Sequence, residues 1–284
     1  MSAPRPMGPD DAHAVHTLAF RTFSDLADRL HEPPQPPPRV DHALVRIGQL
    51  IERDPGGAWV TERDGELVGA ALAIDRDGLW GLSLLVVDPL HQSAGVGREL
   101  LARALEYGGG GRRGAIILAS PDARALRAYA RAGFAAHPSF RAHGRPRPAE
   151  PPAGLRAGGA GDFPLVERVD LAVRGAAHGG DIEAMMRADC RLLVADDRGY
   201  VMVGPGGVRL LAALDEAAAA DLLRAALAAA PAGEDVAVEW LTALQDWAIA
   251  PVLDAGLSLE NDGAVFVRGD VGPFRPYIPS GAYL

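Results

Sequence analysis

The chain has 284 residues, of which 48% are hydrophobic and 23% charged, with a formal net charge of −9. These proportions exclude a disordered or fibrous protein, and the length suits either one large core or two of about 140 residues. The negative charge argues against nucleic acid or an anionic membrane surface as the main partner, since both require a basic face.

In chain order, the first predicted element is a short strand at residues 3–7, then a helix from about 10 to 23 capped by Asp10 or Asp11. A proline-rich stretch at 33–38 reads as a stiff extended loop, and 41–53 as a second helix. Residues 58–63 and 66–74 form a hairpin closed by Asp64-Gly65, and 79–87 is a buried strand. Next come a helix over 95–107, a strand at 115–119, a helix over 121–132 and a strand after Phe134. The glycine run 108–111 is a helix stop and turn. Strands that pair first as hairpins and then alternate with helices predict an α/β fold, with a mixed, mostly antiparallel sheet flanked by helices.

Residues 145–161 have the Pro/Gly/Arg composition of a linker, and the pattern on either side repeats. Arg5-Pro6-Met7-Gly8 leading to Asp11 recurs as Arg156-Ala157-Gly158 leading to Asp162. Leu100, Leu101, Ala104 and Leu105 recur as Leu222, Leu223, Ala226 and Leu227, and Gly133-Phe134 recurs as Gly256-Leu257. Two tandem domains of one type are expected, 1–148 and 149–284. Residues 1–150 hold 18 Arg and 18 acidic residues, whereas 151–284 hold 10 Arg and 19 acidic residues. An anionic ligand therefore meets less repulsion in the first half.

The segment that carries chemistry is 82–105: an apolar strand, the break Asp88-Pro89, then Gln92, Ser93, Ala94, Gly95, Val96 and Gly97, then an amphipathic helix. Amides in a first helical turn lack intrahelical partners and point along the positive end of the dipole, so they suit a pyrophosphate. Gly95 and Gly97 clear the side chains that would keep phosphate oxygens away. Neither a G-x-G-x-x-G fingerprint nor a G-K-S/T loop stands after this strand. The strand leads instead into Q-x-x-G-x-G, and later Asp122, Ala125, Tyr129, Gly133 and Phe134 stand at the spacing N-x-x-A-x-x-x-Y-x-x-x-G-F. With these two motifs in order, residues 1–143 resemble the GNAT superfamily of N-acetyltransferases.

The resemblance implies an acetyl-CoA-dependent N-acyltransferase with direct attack of an amine on the thioester in a ternary complex. Amides of 93–98 would hold the pyrophosphate of CoA, Gln92 would open the loop, and backbone groups of Leu85, Val86 and Val87 would pair with pantetheine. Arg98 either approaches a phosphate or stays solvated. Asp122 falls where the family usually has the pantetheine-side Asn. Tyr129 falls where the family has its tyrosine, and is the candidate acid for the departing thiolate. The strand holds no carboxylate to act as base: Ser83 is its polar side chain, leaving a water relay, Asp75 or Glu32. His91 reads as solvated. Acceptors would be small-molecule or peptide amines, with the 33–38 loop bordering their entrance. Scattered histidines and a single cysteine predict no metal.

The second copy lacks the loop, since Asp215 is only 7 residues before Leu222, and it begins its helix with Asp215-Glu216 and has Val252 in place of Tyr129. It is expected to fold similarly without binding CoA. The aromatic tail, with Phe274, Tyr277 and Tyr283, is expected to pack across the domain junction. No run approaches the ~18 apolar residues of a membrane span, and no export signal is read at the N-terminus, so a cytoplasmic monomer or homodimer is expected. The competing function is a CoA-binding or sensor module without catalysis.

Overall fold

The computed structural model describes residues 3–32 and 39–284; the proline-rich loop expected at 33–38 lies outside the described residues. By proximity of Cα atoms the chain divides into two compact units, Met1–Arg112 and Arg113–Leu284. The fold is mixed α/β, with mostly antiparallel sheet flanked by helices.

In the first unit the order is β1 (Arg5–Pro6), α1 (Ala12–Leu30), α2 (Val40–Arg53), β2 (Ala58–Arg63), β3 (Glu66–Arg76), β4 (Leu79–Val87) and α3 (Val96–Glu106). The strands pair antiparallel in sequence order, and β2–β3 closes at Asp64-Gly65 as the turn chemistry predicts. Helix α1 runs two turns past its expected end. Leu26 and Ala27 continue the buried face begun by Val15 and Leu18, and the helix stops only where His31 enters the left-handed region at φ 57°. Neither Asp10 nor Asp11 caps it through a side chain. Asp11 instead accepts the Gly8 amide at 2.7 Å and two bonds from Arg5 at 2.8 Å, closing the turn before the helix.

At the far end of this sheet the buried Asp54 carboxylate gathers three element ends. It accepts Arg76 Nη1 and Nη2 at 2.8 and 3.0 Å, the Tyr107 hydroxyl at 3.0 Å and the Asp75 amide at 3.1 Å. Only 1% of Asp54 is exposed, so its charge depends on these four donors. Burial first, and then the Asp54 charge, push the Tyr107 hydroxyl up to about 12.

In the second unit the order is β5 (Gly114–Ala119), α4 (Ala123–Arg131), β6 (Ala135–Gly144), β7 (Leu155–Ala157), α5 (Phe163–Val173), α6 (Gly180–Arg187), β8 (Arg191–Ala195), β9 (Gly199–Gly204), β10 (Gly207–Ala213), α7 (Glu216–Ala228), β11 (Val236–Leu241), α8 (Asp246–Asp254), β12 (Ser258–Gly269) and β13 (Tyr277–Ile278). Its sheet runs β5-β12-β6-β11-β10-β9-β8-β7, antiparallel throughout except for β10 beside β11. The last strands of the two repeats interleave: β12 lies between β5 and β6, and β6 pairs with β11. At the bulge in β12 a Cβ on Gly263 would lie 1.8 Å from the Ala119 carbonyl oxygen, so only glycine fits.

The duplication is visible in local geometry. The Arg156 guanidinium grips Asp162 at 2.6 and 3.1 Å while Asp162 accepts the Gly159 amide at 2.9 Å, reproducing Arg5, Asp11 and Gly8. The aromatic tail, expected across the domain junction, adds β13 to β10 inside the second unit.

The Asp54 cluster sets two expected outcomes. Asp54→Ala is expected to destabilise the protein by about 3–5 kcal/mol in urea unfolding, because it strands the buried Arg76 cation. The raised Tyr107 pKa means its contribution is intact below about pH 10, the unfolded value, and is lost as pH rises towards 12. Tyr107→Phe should flatten that part of the stability profile.

Candidate functional site

The end of β4 is fixed before the loop begins. The Val87 carbonyl accepts Gln92 Nε2 at 3.0 Å and the Thr22 hydroxyl at 3.4 Å. Asp88, 5% exposed, donates its amide to the Val68 carbonyl at 2.9 Å. Its carboxylate accepts the Leu90 amide at 2.9 Å, lies 3.3 Å from His91 Nδ1 and pairs with Arg21. Aspartate before Pro89 makes this one-turn helix, Pro89–His91, for a local reason: the carboxylate caps it and proline sets the next φ. His91, expected to be solvated, is half-buried against that carboxylate.

The chain then turns through two left-handed residues, Ser93 at φ 64° and Gly95 at φ 91°, and enters α3 at Val96. Gly95 carries no capping side chain. Among the described residues, the amides of 92–97 have no acceptor; those of Arg98 and Glu99 both turn back to the Gly95 carbonyl at 3.1 Å. Six free main-chain donors at the positive end of a three-turn helix make a cradle of the kind that suits an anion. Arg98 is exposed, its guanidinium lies over the loop 3.6 Å from the Cβ position of Gly95, and among the described residues it has no carboxylate partner.

Two glycines contribute in different ways. At Gly69 on β3 a Cβ would lie 2.7 Å from Leu100 and 2.8 Å from Val96, so its absence lets α3 lie close on the sheet and sets where the cradle stands. Gly97 is helical, and a Cβ there would meet only Val87 Cγ2 at 3.4 Å, an ordinary contact. The fold does not require glycine at 97. Space above the amides is what its absent side chain provides.

Leu85, Val86 and Val87 sit in register with Ala71, Ala70 and Gly69 of β3, so one edge of β4 is committed to that strand. The register slips between Leu72 and Ala73, leaving Ser83 as the extra residue of a bulge in β4. Arg46 of α2 holds the bulge, donating Nη2 to the Ser83 carbonyl at 2.9 Å and to its Oγ at 3.0 Å. Asp75 faces Trp80 at the other end of β4, where its carboxylate accepts the Gly78 amide at 3.0 Å. With about 3.3 Å of rise per residue, that is the opposite end of the strand from Val87 and the loop.

In the second unit Asp122 and Tyr129 mark the two ends of α4. The Asp122 carboxylate accepts the Arg124 amide at 2.8 Å and its guanidinium at 2.7 and 3.0 Å, so it acts as the helix cap. Tyr129 is 5% exposed, and its ring meets Phe266 of β12 edge to face at 5.5 Å. Its hydroxyl makes no hydrogen bond among the described residues. Burial, with a smaller effect of the Asp122 charge, raises its pKa well above the ordinary tyrosine value, so the phenol stays protonated. Gly133 at φ 85° ends the helix, and Arg268 of β12 donates to the Ala132 carbonyl at 2.8 Å and stacks over Phe134 at 4.7 Å.

The corresponding helix start in the second repeat differs. Asp215 caps α7 by accepting the Ala218 amide at 2.9 Å, and Arg198 grips the same carboxylate at 2.6 and 3.0 Å. The residues that sequence reasoning missed are Arg46, Thr22 and Gly69. Only Gly69, a glycine inside a strand pattern, carried a signal.

Residues 20–134 match the family model described as Acetyltransferase (GNAT) family. No significant match is found among curated proteins. Among solved structures, a protein of Pyrococcus horikoshii assigned as an acetyltransferase superposes with a TM-score of 0.80 at 18% identity, covering 98% of this chain and 94% of that one. A GCN5-related N-acetyltransferase from Sphaerobacter thermophilus gives 0.59 at 14%, covering 98% of each chain. A tandem GNAT protein from the clavulanic acid biosynthesis pathway gives 0.57 at 16%, covering 93% of this chain and 97% of that one. At such identities the likeness shows the fold.

Gly69→Val is expected to cost about 1–3 kcal/mol in thermal or urea unfolding, as overpacking does, by forcing α3 off β3. The conservative Gly69→Ala should cost less, and a null effect for the valine would contradict the close packing.

Proposed function

Because residues 20–134 carry an acetyltransferase domain of the GNAT family, we propose that the chain transfers an acetyl group from acetyl-CoA to a primary amine. The observation that carries this reading is the row of free amides at 92–97, held by Asp88 and by the Gln92 side chain. A diphosphate fits those donors, and Arg98 adds a cation beside them. Main-chain groups at Leu85, Val86 and Val87 are assigned to the pantetheine arm. Asp122 is assigned a supporting place on the cofactor's side through its capping of α4.

The chemistry asked of the chain is modest. The amine nitrogen forms a bond to the acetyl carbon, the carbon–sulfur bond breaks, and the amine's proton leaves. Tyr129, protonated and with a hydroxyl that makes no hydrogen bond among the described residues, donates to the departing sulfur. Because its pKa lies above that of a thiol, it stabilises the thiolate by hydrogen bonding more than by outright transfer. The proton of the amine is assigned to a water relay or to a carboxylate brought from elsewhere, Asp75 or Glu32. The acceptor is assigned only to the class of small-molecule or peptide amines.

The second repeat is assigned no CoA, since Asp215 and Arg198 already complete the start of α7. Calorimetry should find one CoA per chain, and two would refute the assignment. Thiol release from acetyl-CoA across an amine panel should fall about 100-fold in kcat for Tyr129→Phe, with CoA affinity retained. Binding without turnover on any amine would instead identify a CoA-binding or sensor module. Gly97→Ala should keep or slightly raise stability, by up to about 1 kcal/mol from helix propensity, while weakening CoA at least tenfold.

A further inference from the structure

Strands β10 and β11 run parallel and touch at a single register pair, Gly207 with Ala237. Beyond it a strand from the tail takes the edge of β10: Leu211 pairs with Ile278 and Ala212 with Tyr277, and the Ala213 amide donates to the Pro276 carbonyl at 3.2 Å. With Asp215 aligned to Asp88, as in the repeat, Ala212 and Ala213 are the counterparts of Leu85 and Val86. The second repeat thus receives a polypeptide at the strand positions that the first repeat is proposed to offer to pantetheine.

The seat is built for main chain. Gln245, 3% exposed, donates Nε2 to the Phe274 carbonyl at 3.0 Å and to the Tyr277 carbonyl at 2.9 Å, while its Oε1 accepts from the Thr242 amide at 3.0 Å. Further along, three buried donors converge on the main-chain oxygen of Leu284: Arg174 Nε at 3.0 Å, His178 Nε2 at 3.1 Å and the Tyr277 hydroxyl at 2.9 Å. Asp170 fixes that set, lying 2.8 Å from His178 Nδ1 and accepting from the Tyr200 hydroxyl. Phe274 and Tyr277 stack at 5.5 Å and are 6% and 1% exposed. None of these side chains enters the acetyl-transfer chemistry.

We propose that the fork between β10 and β11 is a strand-accepting peptide site, filled in the intact chain by its own residues 274–284. Recognition rests on carbonyls read by Gln245, on the aromatic pair three residues apart, and on a main-chain oxygen read by Arg174, His178 and Tyr277. The fork takes an extended peptide of this pattern by β-augmentation, and the tail holds it shut against others. This holds whether or not the first repeat binds CoA.

The test is exchange in the full chain. A protease site inserted after the exposed Asp270 is cut in the folded protein, and a fluorescent peptide of residues 272–284 is added in excess. The cut tail should stay bound through gel filtration, and the labelled peptide should replace it at one per chain. Gln245→Glu, which keeps the Thr242 contact and removes the donor to the tail, should release the peptide at least tenfold faster. A peptide with Tyr277→Ala should fail to exchange. Loss of the cut tail from a protein that stays folded, or failure of the labelled peptide to enter, would overturn the proposal. Should the cut protein unfold, its refolding with the peptide and not with a scrambled one supports the site, and equal refolding with both overturns it.

Discussion

A helix that begins without a cap is the constraint around which the first repeat is arranged. Six amides at 92–97 have no acceptor among the described residues, and such a row is costly unless it meets water or an anion. Holding it in one geometry takes several unrelated devices. Asp88 pins the turn, Gln92 ties the loop back to Val87, and the missing side chain at Gly69 brings α3 down onto the sheet. The donors are aligned by the chain itself, which leaves little ordering entropy to oppose an anion there.

The second repeat meets the same constraint in the opposite way. Its helix start is closed by Asp215, whose charge is matched by Arg198 and whose pKa is held below the ordinary carboxylate value by that guanidinium. Its strand edge at β10 is closed by β13. One architecture thus carries an open end and a sealed end. The difference comes from a few residues: a deleted loop, an aspartate at the cap, and a glutamine aimed at two carbonyls.

Much of this is legible in the sequence, for reasons that can be named. Asp64-Gly65 specifies its turn locally, Gly95 marks the left-handed entry to a helix, and Tyr129 with Gly133-Phe134 marks a helix and its stop. The end of α1 is hidden because Phe23 reads as the last apolar residue of the face, while Leu26 and Ala27 extend it. Pairings between distant segments leave no local trace. Arg46 reaching the Ser83 bulge is one case, β12 between β5 and β6 another, and a two-residue strand such as β13 has no periodicity to read. Nor does the sequence say that Asp75 turns its carboxylate to the Gly78 amide.

The interleaving of β12 has a consequence for how such a chain is free to change. Phe266 and Arg268, both from the copy without a phosphate loop, brace the ring of Tyr129 and the end of its helix. A cut between the two repeats would therefore take from α4 the ring and the guanidinium that pack against its end. The second repeat thus supports the first through the strand it lends, whatever becomes of the rest of its own framework.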